Sequence, residues 1–552
     1  MAERIIKEET LTRLADVIRE KFPYEDIVLY VSDKGNLNDF KFPNGVINIP
    51  KNFFNECNNL RHVSLSDSIN TIGESAFKDC GKLETINLSK TLTSIGDSAF
   101  DDCANLVLTE LPDKITSIGN SAFYRCTNLA LTELPSNLTT IKSYTFNDCT
   151  NLALTELPSN LTSIETYAFN DCTNLALTEL PPNLTSIETY AFNGCTNLAL
   201  TELPSNLISI GDDVFIGCNK LAITSLPESL STVGESAFEN CENIRTLTLK
   251  NIDMSSWGEY IFQYCNNLES VTFSEGVTKL ANKMFCSCKN LSVVNFPNSL
   301  TSIGNAVFWN CKKLNITSLP DSITSIGDSA FGDCTNLALT ELPENLTFID
   351  EDAFRYCSNL VLTSLPSGLT SIPARAFIYC DNMTLSQLPS GITSIGEEAF
   401  EHCSKITLTE LPSGITSIGK GAFDNCNNIS LTSLPKGITS IEENTFSYCT
   451  RLAVTSLPNN LTYIGKSAFN DTNVTISEIP AGVTEIGYFA FGRCNGLTSI
   501  TFKGTPTSIG TTAFSNCKNL RTINVPWAEG EVANAPWGAT NATINYNYTA
   551  TE

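Results

Sequence analysis

Histidine is almost missing from this 552-residue chain: His62 and His402 are the only two, and 340 residues separate them. No Cys–His or Ser–His nucleophile pair is therefore expected. A phosphate-binding glycine loop is also missing, and nothing outside the repeats described below is long enough to host a reaction. The chain is expected not to be an enzyme and to carry no cofactor.

Positive charge is scarce too, with 34 Lys and Arg against 59 Asp and Glu, a formal charge of −25 and a pI near 4.5. Nucleic acid and anionic membrane surfaces both need basic stripes, so neither is an expected partner. Neutral or cationic partners are. No apolar run approaches the roughly 18 residues of a membrane span, and the opening residues are too charged for a signal peptide core. The expectation is a chain made in the cytoplasm without a signal peptide and without membrane insertion.

Cysteine is the exception to this poverty, with 21. No CxxC pair occurs, and Cys286 with Cys288 is a CxC with no histidine near it, so no metal site is expected. Their spacing explains them. Cys57, Cys80, Cys103, Cys126, Cys149, Cys172, Cys195, Cys218 and Cys241 recur every 23 residues; one added residue precedes Cys265, and Cys288 to Cys449 resume the count. Thr472 holds the next slot, and a one-residue deletion leads to Cys494 and Cys517, giving 21 copies. One thiol per turn at a constant depth reads as a small buried structural residue, not as a disulfide framework.

The unit from Cys149 to Asp171, CTNLALTELPSNLTSIETYAFND, restarts almost unchanged at Cys172 and Cys195. Leu152, Leu157, Leu161, Ile164 and Phe169 hold fixed offsets within it. A unit this short cannot bury an apolar face alone, so its neighbours must cover it, which predicts a solenoid. Parallel strands ~4.8 Å apart would make a single continuous body roughly 100 Å long. Within a coil we expect a strand ended by Pro158, a second strand over Leu161 to Ile164, and a return turn packed by Ala168 and Phe169. Gly73, Gly96 and Gly119 share one turn slot with Lys142, Glu165 and Glu188, so that turn does not demand a positive φ.

The strand after Cys comes in two forms. After Cys80, Cys241, Cys265, Cys494 and Cys517, apolar residues fall at offsets +3, +6 and +8; in the LALTELP form they fall at +3, +5 and +8. In a regular strand that shift turns one residue to the opposite face. Leu108, Leu131, Leu154, Leu177 and Leu200 would then form an outward stripe beside Glu110, Glu133, Glu156, Glu179 and Glu202, a candidate binding face. The other arrangement is a local bulge that keeps the leucines inside. The glutamates are then either a solvated acidic face or a row that attracts a divalent cation.

The ends differ from the array over residues 39–525. In residues 1–38, Leu11, Leu14, Val17 and Ile18 have the spacing of one helix face, with Glu8 and Glu9 before and Arg19 and Lys21 after, as the helix dipole favours. The segment is either a cap on the first coil or an anchor, and after it one strand and a loop lead to the first coil. In residues 526–552, Trp527 and Trp537 are expected to lid the last coil and TINYNY to add an edge strand. The coils from Cys241 to Cys288, with Met254, Trp257, Tyr260 and Met284, are the most varied and suggest a bend or a distinct patch.

Leu161-Thr162-Ser163-Ile164, Ala168-Phe169, Cys172 and Leu175 resemble the 23-residue leucine-rich repeat of the BspA-like, or Treponema pallidum-type, class, over about residues 40–525. The resemblance implies a right-handed leucine-rich-repeat solenoid, mostly β, with parallel strands and short turns, about 21 coils and a short N-terminal helical segment. It also implies contact with protein or glycan on a cell surface, often in adhesion, and no activity. Glu9 to Lys21 looks like the opening helix of tail-associated proteins of phages and prophages of gut bacteria, and VPWAEGEVANAPWGATNATINYNY is similar to the ends of repeat proteins from that setting. Phe22-Pro23-Tyr24 departs from the Gly- or Thr-rich turn usual after that helix. The expected function is a binding scaffold for host-surface recognition, associated with a virion and docked to tail structural proteins through residues 1–38. The alternative is a bacterial adhesin at the cell surface or released.

Overall fold

The computed structural model describes residues 29–31, 37–42, 44–250, 254 and 256–549. None of them is helical. The expected helix face of Leu11, Leu14, Val17 and Ile18 lies outside the described residues. The chain divides into two compact units, Met1–Val271 and Thr272–Glu552, and the division falls among the varied coils.

Each unit is a stack of coils in parallel register, and three rows of hydrogen bonds join one coil to the next. The first row is the two-residue strand of the Thr-Ser-Ile segment. In unit one Ser163 pairs with Thr140 and Ser186, and Ile164 with Ile141 and Ile187. In unit two Ser394 pairs with Ser371 and Ser417. Only two residues pair because Leu161 is already buried in the preceding turn, whose amide bonds back to Pro158 O at 3.1 Å.

The second row is the return turn. Ser75, Phe77 and Asp79 each donate their N–H to the next coil, at Asp97, Ala99 and Asp101, while Ala76, Lys78 and Cys80 donate within the coil. This alternation satisfies every amide of the turn. It also places two residues per coil in the left-handed region, such as Tyr167 and Asp171 at φ 57° and 55°. The glycine slot is a different matter: Gly96 has no positive φ, but a Cβ there would lie 2.7 Å from Glu74 N. Close approach of the preceding coil, not backbone freedom, favours glycine.

The third row separates the two forms of coil. The +3, +6, +8 coils form true strands, among them His62–Ser64 paired with Thr85–Asn87, and Ser499–Phe502 paired with Thr522–Asn524. The LALTELP coils form none there. Their ladder shrinks to one or two inter-coil bonds and in most of them slips by one residue. Glu84 N, at +4, bonds to Arg61 O at +4 of the coil before, whereas Ala153 N bonds to Leu131 O at +5, at 3.3 Å. That slip turns the +5 leucine inward.

Stacked side chains fill the interior. Phenylalanines from Phe54 to Phe262 in unit one lie 5.1 to 5.7 Å apart between ring centroids, and those from Phe285 to Phe514 in unit two 5.3 to 5.9 Å. All are fully buried, and burying such a ring contributes roughly 1.5–3 kcal/mol. Behind most rings a cysteine thiol donates to a backbone carbonyl, Thr472 takes that slot behind Phe469, and all the cysteines are free.

Both stacks are closed at their chain ends. Strand β1 (Leu29–Val31) pairs antiparallel with β2 (Leu37–Lys41), and β2 continues parallel to His62–Ser64. Two strands thus stand where one strand and a loop were expected. Phe40, Phe42 and Phe53 meet Phe54 edge-on and end the ring column. At the other end Trp537, 23 residues after Phe514, is fully buried, Trp527 packs 6.2 Å from it, and Thr543–Asn545 adds a last parallel strand.

Candidate functional site

Leu131, Leu154, Leu177 and Leu200 have no exposed surface, and Leu108 is also buried. The outward apolar stripe therefore does not exist. The one-residue slip gives these leucines to the core, and offset counting from a regular strand cannot see a slip. Their partners behave as expected: Glu110, Glu133, Glu156, Glu179 and Glu202 are all exposed.

Three of these glutamates line a groove of about 630 Å³ in unit one. Glu156, Glu179 and Glu202 line it, one per coil, among Leu157, Pro182, Pro204, Ser159 and Ser205. Pro182 stands exposed at the groove, while Leu157 and Pro204 are half-buried. Among the described residues no hydrogen bond or ion pair engages any of the five glutamates. The divalent-cation arrangement finds no support, because no cluster of three His, Cys, Asp or Glu among the described residues could hold a metal ion.

The corresponding face of unit two is different. Thr455, Ser456, Asn459 and Ser477 line a groove of about 350 Å³, and the carboxylate there, Glu478, is held by Lys503 at 2.9 Å. Along the rest of that column Glu341 and Glu410 stand exposed but singly, with Ser364, Ser433 and Ser456 on other coils, so no row of consecutive carboxylates forms.

The return turns carry rows that sequence reasoning missed. Tyr144, Tyr167 and Tyr190 stack at 4.7 and 4.5 Å, and Tyr190, hydrogen-bonded to Asp213, has its phenol pushed up to about 12. In unit two Tyr356, Tyr379 and His402 stack at 4.8 and 4.3 Å. Shared phase in the 23-residue count was the available signal. The rings spend their faces on one another and offer edges to solvent, so they are no platform for a flat ligand. Beside His402, burial pushes the Glu401 carboxyl up to about 7 and that of Asp424 to about 6, with Glu398 adding to both.

His62 also has neighbours that the sequence did not announce. Thr85 Oγ1 lies 2.9 Å from its Nδ1, and Asp39 Oδ1 lies 4.0 Å from its Nε2, on three adjacent parallel strands. A hydroxyl, an imidazole and a carboxylate in a row resemble a catalytic arrangement. Here His62 and Asp39 are about half exposed, and Thr85 is exposed. Nucleophile activation and oxyanion stabilisation both depend on excluding water, and this open sheet face does not exclude it.

Among known families, the BspA type leucine-rich repeat region matches in overlapping stretches that run from residue 28 to 534. The chain belongs to the BspA-type leucine-rich repeat family. No curated protein sequence matches the chain. A leucine-rich repeat protein from Bacteroides ovatus is similar in structure, at 24% identity and a TM-score of 0.53, over 66% of this chain and 98% of that one. A leucine-rich cell surface protein from Faecalibacterium prausnitzii (22% identity, TM-score 0.33, 68% and 94% covered) and the T. pallidum leucine-rich repeat protein (27%, 0.25, 35% and 87%) also match. The first of these shows the fold and no more.

Proposed function

We propose that this BspA-type chain is a non-enzymatic binding scaffold whose exposed column at the ELP segment contacts protein or glycan on a cell surface. The observation that carries this reading is the groove over Glu156, Glu179 and Glu202, where unpaired carboxylates and apolar side chains repeat at the spacing of rigid coils. In its finer form, the chain rides on a phage or prophage tail, docks through residues 1–38 and offers the array to a host surface. The resemblance of Glu9 to Lys21 and of the C-terminal segment to tail-associated proteins supports that form. Family membership favours a second reading, a surface or released bacterial adhesin.

The test compares the full chain with its Leu11→Asp, Leu14→Asp, Val17→Asp variant, each offered to purified tail particles and to whole bacterial cells. Loss of particle association with cell binding kept supports the tail-docked scaffold. Cell binding by both with no particle association by either leaves the adhesin. A chain that binds neither sinks the scaffold reading.

A further inference from the structure

At several places the array answers an acidic side chain with a basic one from the adjacent coil. Lys51 meets Glu74 at 2.7 Å, Lys466 meets Glu443 at 2.9 Å, Lys503 meets Glu478 at 2.9 Å, and Arg375 holds Asp352 at 2.7 Å. Arg61 with Glu84 and Lys78 with Asp101 do the same. Register makes this easy, because one substitution places a base directly above an acid.

Between residues 126 and 217 such pairs thin out to Arg125 with Asp148, at 3.8 Å. Ten Asp and Glu stand there against a single basic residue, Lys142. Glu156, Glu179 and Glu202 sit in this stretch on three consecutive coils and face a common groove. Like charges stacked at coil spacing repel, and nothing among the described residues offsets them. A cation from outside would.

We propose that this groove docks an extended lysine- or arginine-bearing segment of a partner protein, in the polyproline II conformation with a base at every third residue. The inference rests on the binding-scaffold reading and names its partner. Spacing selects the conformation. Paired parallel coils lie ~4.8 Å apart, so alternate coils lie roughly 9.6 Å apart. A polyproline II chain rises about 9.3 Å in three residues, which brings its same-face bases over Glu156 and Glu202 in register. An extended strand repeats its face every ~6.7 Å and falls out of step within two coils. Leu157, Pro182 and Pro204 give the intervening residues apolar contacts. The equivalent column of unit two has Glu341 and Glu410 on coils that are not adjacent, and Glu478 held by Lys503, so it offers no row of carboxylates on consecutive coils.

The test measures binding of a (Lys-Pro-Pro) repeat peptide to the full chain at low and at high salt. The comparisons are a peptide of equal charge with lysine at every second residue, and a (Glu-Pro-Pro) repeat. The expected result is salt-sensitive binding of the first peptide alone, weakened about tenfold or more by E156Q/E179Q/E202Q. The variant's side chains are exposed, so its melting should match that of the parent. In the charge-reversed variant E156K/E202K, the (Glu-Pro-Pro) repeat should bind in its place. Equal binding by the triple variant, or by the lysine-alternate peptide, would overturn the proposal. If the triple variant still binds cells like the parent, the scaffold reading survives while the groove assignment fails; if peptide binding holds and cell binding never occurs, the reverse is true.

Discussion

The Sγ of Cys172 donates to the carbonyl oxygen of Phe146 in the preceding coil, at 3.0 Å. The same bond recurs from Cys80 to Phe54 and from Cys449 to Phe423. Phe146 O already accepts the Cys149 N–H at 3.1 Å, so the thiol is the second donor to a carbonyl in the buried interior.

Replacing Cys172 by Ala removes the second of two hydrogen bonds to that carbonyl, leaving the Cys149 N–H at 3.1 Å, and opens a small void. The expected cost is about 1–3 kcal/mol, read from denaturant unfolding. Burial pushes the interior thiols well above their ordinary value, so alkylation of the native chain should be confined to the ends of the column. Cys57, pushed up only to about 12, and Cys517, to about 11, should react first, and mass spectrometry of partially labelled protein reads the order.

Phe169→Ala removes one ring from a continuous stack, at an expected local cost of about 3–5 kcal/mol. Each coil touches only its neighbours, so the damage should stay local. Hydrogen exchange should quicken in the coils of Phe146, Phe169 and Phe192 and remain unchanged near Phe77.

Gly96→Ala pushes a Cβ to 2.7 Å from Glu74 N and 2.8 Å from Gly73 C, and backbone atoms cannot rotate away. Gly391→Ala meets nothing closer than Leu369 O at 3.5 Å. The first should cost roughly 1–3 kcal/mol and the second much less, by comparison of unfolding midpoints.

Acid should tighten the coils around Glu401. Its folded value of about 7, and that of about 6 for Asp424, lie above the ordinary carboxylate range because burial and Glu398 disfavour the charged forms. The neutral carboxyls are the better tolerated, so the stability they contribute is present at low pH and is lost as pH rises towards and through 7. His402 Nε2 lies 3.8 Å from the Glu401 carboxyl. Protection from hydrogen exchange over residues 398–426, taken relative to the unstructured amides at the same pH, should be greater at pH 5 than at pH 8, and Glu401→Gln should remove most of that difference.

The 23-residue count of cysteine and phenylalanine already contained the coil, its parallel register and the stacked core, because a short unit has no other way to bury Leu161, Ile164 and Phe169. Lids at Trp527 and Trp537 were legible for the same reason: an open apolar edge must be covered. Local sequence could not settle where the +5 leucines point. That depends on whether Ala153 bonds to Leu131 or one residue earlier, a choice made between coils. The left-handed turn residues were hidden as well, since the slots of Tyr167 and Asp171 elsewhere hold Ser, Arg and Asn, and the forward bonds to the next coil, not the residue type, hold φ positive. Composition alone determined that the surface is acidic; tertiary structure decided which carboxylates are answered by a neighbour and which, at Glu156, Glu179 and Glu202, stand open in a groove, because pairing depends on what the adjacent coil places within reach.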